Sequence, residues 1–250
     1  MRTPLVMGNW KLNGTKESVL ALINGLKATA QAAQNVEVAV FPPTIFIDQV
    51  ARLVDNTCIE WGAQDISTNV SGAYTGETSP VMVKEFGAKY SLVGHSERRQ
   101  YHNETDAVVA AKFIAMQKHG LVPVLCIGET LEQRDKNETT NVIDAQLEAV
   151  VSRAGIKALD NCVIAYEPVW AIGTGKVATS EQAQEVHAHI RNWLSKQDQA
   201  VAEKVQILYG GSVKAASANS LFKQEDIDGG LVGGAALIVE EFVGIINGAK

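Results

Sequence analysis

Four side chains suited to acid–base or charge-stabilising chemistry stand at the ends of apolar runs in the sequence. Asn9 and Lys11 end the first run, His95 follows the fourth, and Glu167 follows the sixth. A carboxylate accepts a proton, an imidazole donates a hydrogen bond to an oxygen that gains negative charge, and an ammonium group supplies fixed positive charge. These residue types predict a base, an electrophile and a cation.

Each of these residues has an ordinary structural explanation when it is taken alone. A lysine near a strand end is commonly a solvated surface charge, a histidine after a strand is commonly a hydrogen-bonded structural residue, and a glutamate before proline can begin a turn. Their joint position argues for function, because the carboxyl ends of the strands of a closed barrel converge on one face. We therefore expect all four side chains to point into one bowl.

Two glycine-rich turns also follow apolar runs, Gly210-Gly211-Ser212 after the seventh and Gly233-Gly234 after the eighth. Glycine lets the backbone approach a ligand closely, and unpaired N–H groups near helix starts attract anions. Loops after strands seven and eight are the usual phosphate site of a barrel. The turns therefore predict a phosphate cradle, although tight turning alone would also explain the glycines.

The elements that must carry these residues alternate along the whole chain. Short apolar runs are separated by longer amphipathic stretches, and most runs are nearly continuous in apolar residues, as is typical of parallel strands covered by helices. The runs lie at residues 5–10, 36–41, 58–63, 90–94, 122–127, 162–166, 205–209 and 227–232.

Eight alternating units in 250 residues predict an α/β fold, a single (β/α)8 barrel with eight parallel strands that forms one domain over residues 1–250. A doubly wound open sheet is the alternative, but no Gly-x-Gly-x-x-Gly follows the first strand. Helix signals agree with the alternation. Thr179 and Gln182 have the spacing of a capping box, Ser79-Pro80 predicts a helix start, and Lys118-His119-Gly120 predicts a helix end.

Composition narrows the class of protein. Twenty-two Lys and Arg against 28 Asp and Glu give a net charge of −6, which argues against a nucleic-acid partner. No apolar run is long enough to cross a bilayer and the start lacks a signal-peptide core, so we expect no membrane association and a cytoplasmic location.

Cys58, Cys126 and Cys162 have no disulfide or zinc spacing, and we expect all three to be buried in strands.

Five motifs resemble the triosephosphate isomerase family, in order and over the whole chain. They are Gly-Asn-Trp-Lys-Leu-Asn-Gly at 8–14, Gly-His-Ser-Glu-Arg-Arg at 94–99, Ala-Tyr-Glu-Pro-Val-Trp-Ala-Ile-Gly-Thr-Gly at 165–175, Tyr-Gly-Gly-Ser-Val at 209–213 and Leu-Val-Gly-Gly-Ala at 231–235. The motifs around His95 and Glu167 are highly specific, whereas the glycine turns alone are weak. Gly230 departs from the pattern, because a larger residue is expected there, and it could loosen the eighth strand.

The resemblance implies a cofactor-independent isomerase that interconverts dihydroxyacetone phosphate and D-glyceraldehyde 3-phosphate through an enediolate, within glycolysis and gluconeogenesis. Glu167 would be the base and His95 the electrophile, with Lys11 and Asn9 beside the substrate. Ser96-Glu97 resembles a helix start, and a helix N-terminus disfavours imidazolium, so His95 is expected to be neutral. Glu97 would pair with Lys11.

The resemblance also implies contacts that hold the substrate. Ile172, on a lid at residues 168–178, and Leu231 would form an apolar clamp on the base. The phosphate would be bound by backbone and hydroxyl groups of Gly173, Ser212, Gly233 and Gly234. No metal and no cofactor are expected.

The polar segment at residues 65–79 is long for an ordinary connection. By resemblance it inserts into a second subunit of a homodimer, with Thr75 near the partner's active site. A disordered surface loop is the alternative. Two other functions remain open at this point, a metal-dependent pentulose-phosphate epimerase and a non-catalytic sugar-phosphate-binding barrel. Against the epimerase, this sequence shows no convergent His/Asp set of metal ligands. Against the binding barrel, a non-catalytic descendant should have lost a catalytic residue, yet Lys11, His95 and Glu167 are all present.

Overall fold

A closed barrel of eight parallel strands, in the order β1 to β8, forms the centre of the molecule. This computed structural model describes residues 2–33, 35–172 and 178–250. The strands are β1 Leu5–Asn9, β2 Glu37–Phe41, β3 Ile59–Ala63, β4 Tyr90–Val93, β5 Val122–Ile127, β6 Val163–Tyr166, β7 Gln206–Tyr209 and β8 Gly229–Val232. The predicted (β/α)8 barrel is confirmed, and each predicted strand boundary lies within two residues of the observed one.

Helices cover the outer surface of the barrel and connect successive strands. They are α1 Lys16–Ala32, α2 Ile47–Val54, α3 Pro80–Glu85, α4 Ser96–His102, α5 Asp106–Lys118, α6 Leu131–Asp135, α7 Thr139–Ala154, α8 Ser180–Gln197, α9 Gln199–Lys204, α10 Ala215–Phe222 and α11 Val239–Gly248. Among the described residues, none of these helices has the length and apolarity needed to cross a bilayer.

Alternation along the strands divides the core into two layers. Side chains that point inward fill the barrel, and those that point outward pack against the helices in a larger apolar cluster. The inward layer consists of Leu5, Met7, Ala39, Phe41, Tyr90, Leu92, Val124, Cys126, Val163, Ala165, Leu208 and Leu231. The barrel is therefore packed, and a ligand is accommodated at the strand ends.

The predicted helix signals are confirmed by local hydrogen bonds. The Thr179 hydroxyl accepts the Gln182 N–H at 3.1 Å, and the Gln182 side chain accepts the Thr179 N–H at 3.0 Å. Ser79 caps α3 with Pro80 at the first helical position. Helix α5 ends at Lys118, and Gly120 follows with a φ of 75°, a left-handed conformation that glycine adopts without strain.

The expectation for the cysteines is partly wrong. Cys126 is buried in β5 and Cys162 is buried just before β6, but Cys58 is exposed. Cys58 stands one residue before β3 begins at Ile59, so the apolar run of the sequence extends beyond the part that the sheet covers.

Glycines at the start of β8 serve the closure of the barrel. Gly229 has a φ of 138°, and a Cβ there would lie 1.9 Å from the Leu5 carbonyl oxygen, so no other residue fits. Gly230 pairs with Val6, and a Cβ on it would lie 3.2 Å from the Phe222 ring. The Phe222 ring thus occupies the space that a larger side chain at position 230 would need.

The segment at 65–79 is an ordered projection. The Ser67 N–H donates to the Thr78 carbonyl at 2.8 Å and closes its base, and the Glu77 N–H donates to the Tyr74 carbonyl at 3.0 Å near its tip. Residues 70–77 are exposed. These hydrogen bonds support an ordered loop over the alternative of a disordered one, and its exposed part projects away from the buried base at Ile66 and Ser67.

A buried ion-pair network holds the opposite, amino-terminal end of the barrel together. Asp228 accepts the Arg191 guanidinium at 2.6 Å, the Arg2 guanidinium at 2.6 Å and the Ile207 N–H at 2.8 Å. Arg191 also donates to the Ala202 carbonyl at 2.7 Å. Because Asp228 precedes β8 and Ile207 lies in β7, the network ties helix α8 to two strand starts.

Loss of the Arg191 side-chain charge is expected to destabilise the fold. Arg191→Met keeps the aliphatic stem but removes one of the two cations of Asp228, whose side chain is 7% exposed, and leaves only the Arg2 guanidinium beside it. The free energy of unfolding should fall by about 3 kcal/mol, the usual cost of breaking a buried pair from one side. Urea unfolding at fixed protein concentration measures this change.

Lys136→Met is the matched control, because Lys136 pairs with Glu132 on the surface and is 58% exposed. Its effect should be below about 1 kcal/mol. Equal effects of the two substitutions would contradict a structural role for the Arg191 network.

Candidate active site

The carboxyl ends of the strands bring four of the predicted residues to one cavity of about 280 Å³. Asn9 ends β1, Lys11 follows it, and His95 and Glu97 lie at the junction of β4 with α4. All four line the cavity. The expected convergence is therefore present for Asn9, Lys11 and His95. Glu167 lines a neighbouring cavity with Ser96 and meets this site through its contact with His95.

Lys11 is held in a strained backbone conformation. Its φ is 50°, in the left-handed region that non-glycine residues rarely adopt. The Asn9 side-chain oxygen accepts the Lys11 N–H at 3.0 Å, and the Gln64 side-chain amide donates to the Lys11 carbonyl at 2.8 Å. The Lys11 ammonium then donates to the Glu97 carboxylate at 2.5 Å, which confirms the predicted pairing.

His95 is the N-cap of α4, so its ring lies beside unpaired N–H groups of the first turn. The His95 Nδ1 accepts the Glu97 N–H at 3.2 Å. A nitrogen that accepts a hydrogen bond carries no proton, so this contact favours the neutral ring with the proton on Nε2. The Nε2 side faces the Glu167 carboxylate.

The Glu167 carboxylate is buried and accepts two hydrogen bonds from the β4–α4 junction. Its Oε1 lies 2.9 Å from the His95 Nε2, and its Oε2 accepts the Ser96 N–H at 2.9 Å. Burial acts to raise the pKa of Glu167, but the His95 imidazole and the Ser96 N–H outweigh it, so the pKa lies below its ordinary value. Glu167 is therefore ionised at neutral pH.

The contact between Glu167 and His95 also shifts the pKa of His95. Burial lowers the pKa of His95, whereas the Glu167 carboxylate raises it and prevails, so the pKa lies above its ordinary value. The predicted neutral ring is thus favoured by the Glu97 N–H and opposed by Glu167 for as long as this carboxylate faces Nε2.

The first glycine turn passes directly against Glu167. A Cβ on Gly210 would lie 2.9 Å from the Glu167 Cγ and 3.0 Å from the Tyr166 carbonyl oxygen, so the close approach requires glycine. The Ser212 hydroxyl donates to the Ala171 carbonyl at 3.0 Å, next to Ile172. The turn therefore joins the segment that follows Glu167 to the end of β7.

The second glycine turn lies beside Lys11. A Cβ on Gly233 would be 3.4 Å from the Lys11 Cε, and one on Gly234 would meet nothing within 4 Å, so open space lies in front of this turn. Unlike the predicted phosphate-binding residues of the two turns, Leu231 is part of β8, and its side chain belongs to the barrel interior. Gly173 lies outside the described residues.

Two polar residues that the sequence analysis did not single out support the site. Gln64, directly after β3, donates to the Phe41 carbonyl at 2.9 Å as well as to Lys11. Glu129, after β5, is fully buried and accepts the Trp170 indole N–H at 2.8 Å and the Tyr166 hydroxyl at 3.1 Å. Both follow apolar runs, so the signal that marked the other residues marks these two as well.

In the described part of the chain, no group of three or more His, Cys, Asp or Glu side chains is arranged to hold a metal ion. The site instead combines an ionised carboxylate, an imidazole N–H and an ammonium group. These groups can move a proton on carbon and stabilise the negative charge that then develops on oxygen.

Comparison with known proteins agrees with this chemistry. A family model described as Triosephosphate isomerase matches residues 4–249. A protein of Psychromonas ingrahamii with that name is 78% identical over 250 residues, which cover the whole of both chains. Proteins of the same name from Vibrio sp. strain ANT-300 and Aliivibrio salmonicida are 64% and 52% identical over the whole of this chain, and over 100% and 98% of their own. The chain therefore belongs to the triosephosphate isomerase family.

Proposed function

We propose that this chain interconverts dihydroxyacetone phosphate and D-glyceraldehyde 3-phosphate by proton transfer through an enediolate. The pairing of the buried, ionised Glu167 with the His95 Nε2–H carries the proposal. A base and an oxyanion donor side by side are what the reaction needs, because the proton leaves carbon as negative charge grows on the neighbouring oxygen.

Glu167 acts as the base. It removes a proton from the hydroxymethyl carbon of dihydroxyacetone phosphate, the C–H electrons form the enediolate double bond, and the carbonyl oxygen takes up the charge. The hydroxyl proton on the first carbon's oxygen then moves, by way of the His95 Nε2, to the former carbonyl oxygen. Glu167 returns the carbon-bound proton to the adjacent carbon, and the aldehyde forms. One carboxylate suffices for both steps, so no external oxidant or reductant takes part.

The carboxylate must leave the Ser96 N–H to reach the substrate carbon. Release from Ser96 and His95 removes two contacts that lower its pKa, whereas burial, which raises the pKa, remains. Its basicity therefore increases as it moves onto the substrate.

His95 stabilises the enediolate oxygen through Nε2–H. When the Glu167 carboxylate turns to carbon, the contact that raises the pKa of His95 is lost, and burial, which lowers it, remains. The Glu97 N–H on Nδ1 continues to favour the neutral ring. A neutral imidazole is then the donor at the moment when the oxyanion forms.

Lys11 supplies positive charge to the substrate oxygen and the phosphate, and Asn9 adds a hydrogen bond. The hydrogen bond from the Lys11 N–H to Asn9 and the ion pair with Glu97 support these roles, because they fix the strained lysine at the cavity wall. Glu97 also lies on the path between Lys11 and His95 for proton exchange.

The phosphate is bound by Gly173, Ser212, Gly233 and Gly234. The open space in front of Gly234 supports a phosphate at the second turn, as does the Lys11 ammonium, whose Nζ lies 4.0 Å from where a Cβ on Gly233 would be. Ile172 and Leu231 form the apolar clamp on the base, which raises its basicity by excluding water.

We further propose a twofold homodimer assembled through the loop at 65–79. Its tip is exposed, and large apolar side chains near it and near the β1 and β2 ends are exposed too. These are Leu12, Ile45, Tyr74, Met82 and Phe86. Thr75 reaches the partner's active site in this arrangement.

The proposed activity belongs to glycolysis and gluconeogenesis and to the cytoplasm. We also infer that residues 1–250 form one domain, a proposal supported by the pairing of β1 with β8 from opposite ends of the chain.

Isomerisation of glyceraldehyde 3-phosphate in a coupled assay tests the function. The wild-type protein should be active in the presence of EDTA, which separates it from a metal-dependent epimerase. Glu167→Gln should lower turnover by at least about 10²–10⁴, the usual contribution of a positioned base, while inorganic phosphate still inhibits.

The matched control is Glu60→Gln, because Glu60 is a glutamate near the amino-terminal end of β3, whereas Glu167 follows the carboxyl end of β6. It should leave turnover unchanged. An inactive wild-type protein that binds phosphate would instead support a non-catalytic binding barrel, and full activity in Glu167→Gln would refute the assignment of the base.

Thr75→Arg should dissociate the dimer and lower activity, because an unpaired charge would be buried in the interface. Sedimentation equilibrium should give about twice the 26.8 kDa chain mass for the wild type and the chain mass for the variant. Ser220→Arg adds the same charge to an exposed site on α10, across the barrel from the loop, and should leave the dimer intact. A wild type that is monomeric at micromolar concentration would rule out this assembly.

A further inference from the structure

His187 is a buried histidine outside the site described above. It lies on α8, the helix that connects β6 to β7, and its side chain is completely buried. Its Nδ1 lies 3.2 Å from the Asp226 carbonyl oxygen, so this nitrogen carries the proton. Burial lowers the pKa of His187 to about 3, so the ring is neutral at neutral pH.

The ring of His187 lies between two tyrosines on neighbouring strands. Tyr166 and Tyr209 are partners in the β6–β7 register. The His187 ring centroid is 5.8 Å from that of Tyr166, edge to face at 83°, and 6.4 Å from that of Tyr209, tilted by 36°. The imidazole therefore acts as a spacer that contacts both rings from the helix side.

Each tyrosine is followed directly by one part of the active site. Tyr166 precedes Glu167, and Tyr209 precedes the turn of Gly210 and Gly211. A Cβ on Gly211 would lie 2.3 Å from the Tyr209 hydroxyl oxygen, so the turn folds back onto that ring. A shift of either ring would move the base or the phosphate turn.

We propose that His187 is a positioning residue that fixes the spacing between Glu167 and the phosphate turn of Gly210 and Gly211. The inference rests on the proposed function, because that spacing matters only if one substrate touches both. A triose phosphate has its reacting carbons and its phosphate a fixed number of bonds apart, so the base and the cradle must be held at a matching distance.

The chemical nature of the spacer follows from its surroundings. The planar imidazole fills the gap between two aromatic rings, and its hydrogen bond to the Asp226 carbonyl fixes its orientation. The Nε2 atom has no hydrogen-bond partner among the described residues, so a ring nitrogen is not needed on that side. The planar ring, more than its second nitrogen, is the positioning element.

His187→Phe and His187→Leu form a matched pair that tests this. Both variants remove the N–H donor to Asp226 and replace the imidazole with a large apolar side chain. Both should therefore fold, with a similar loss of stability in urea. Only His187→Phe keeps a planar ring. Ile190→Ala, a fully buried position on the same helix, serves as the control for lost packing.

The kinetic readouts are kcat with glyceraldehyde 3-phosphate and the inhibition constant of inorganic phosphate. His187→Leu should lower kcat about ten- to a hundredfold, the effect of a displacement of about 1 Å or less between reacting groups. His187→Phe and Ile190→Ala should keep kcat within about threefold of wild type. Inorganic phosphate touches only the cradle, so its inhibition constant should stay within about threefold in all three variants.

Equal kcat values in His187→Leu and His187→Phe, whether high or low, would overturn the inference, as would a fall in Ile190→Ala as large as that in His187→Leu. Loss of phosphate inhibition in His187→Leu would overturn it too, because the cradle itself would then be damaged. An inactive wild-type protein would refute the proposed function, and is therefore distinguishable from failure of the positioning role alone.

Discussion

The contact of the Glu167 carboxylate with the His95 Nε2–H and the Ser96 N–H is the interaction on which the rest of the site depends. It keeps a fully buried carboxylate ionised, although burial alone would favour its protonated form. It also joins the end of β6 to the start of α4, two elements far apart in the sequence. The base is therefore held charged and close to the group that will stabilise the product of its own proton transfer.

The barrel makes this contact possible because parallel closure brings every carboxyl strand end to one face. Around that face, a second set of polar groups fixes the backbone that carries the reacting side chains. Gln64 holds the strained Lys11, and Glu129 binds the side chains of Tyr166 and Trp170 on either side of Glu167. Each is satisfied by several hydrogen bonds, as buried polar groups must be, and each limits the movement of a neighbour.

Sequence patterns predicted the fold and much of the site, because parallel strands are apolar throughout and their ends are marked by the first polar residue. Gln64 and Glu129 follow apolar strands just as His95 does, but they lie outside the motifs of the family resemblance. Boundaries failed where apolar residues run past the sheet, as at Cys58. Contacts that cross from a helix to two strands, such as that of His187 with its tyrosines, depend on packing geometry, to which local sequence patterns give no access.

The most direct test of the central interaction is the titration of the Glu167 carboxyl group by ¹³C NMR, with labelled glutamate and with Glu167→Gln to assign the signal. In the wild-type protein the midpoint of the titration should lie below about 4.5, the ordinary pKa of a glutamate, because His95 and Ser96 lower the pKa of Glu167. In His95→Ala the pKa should rise above the wild-type value, since burial is then opposed by fewer contacts. A wild-type midpoint above the ordinary value, or a midpoint that is unchanged in His95→Ala, would contradict this account.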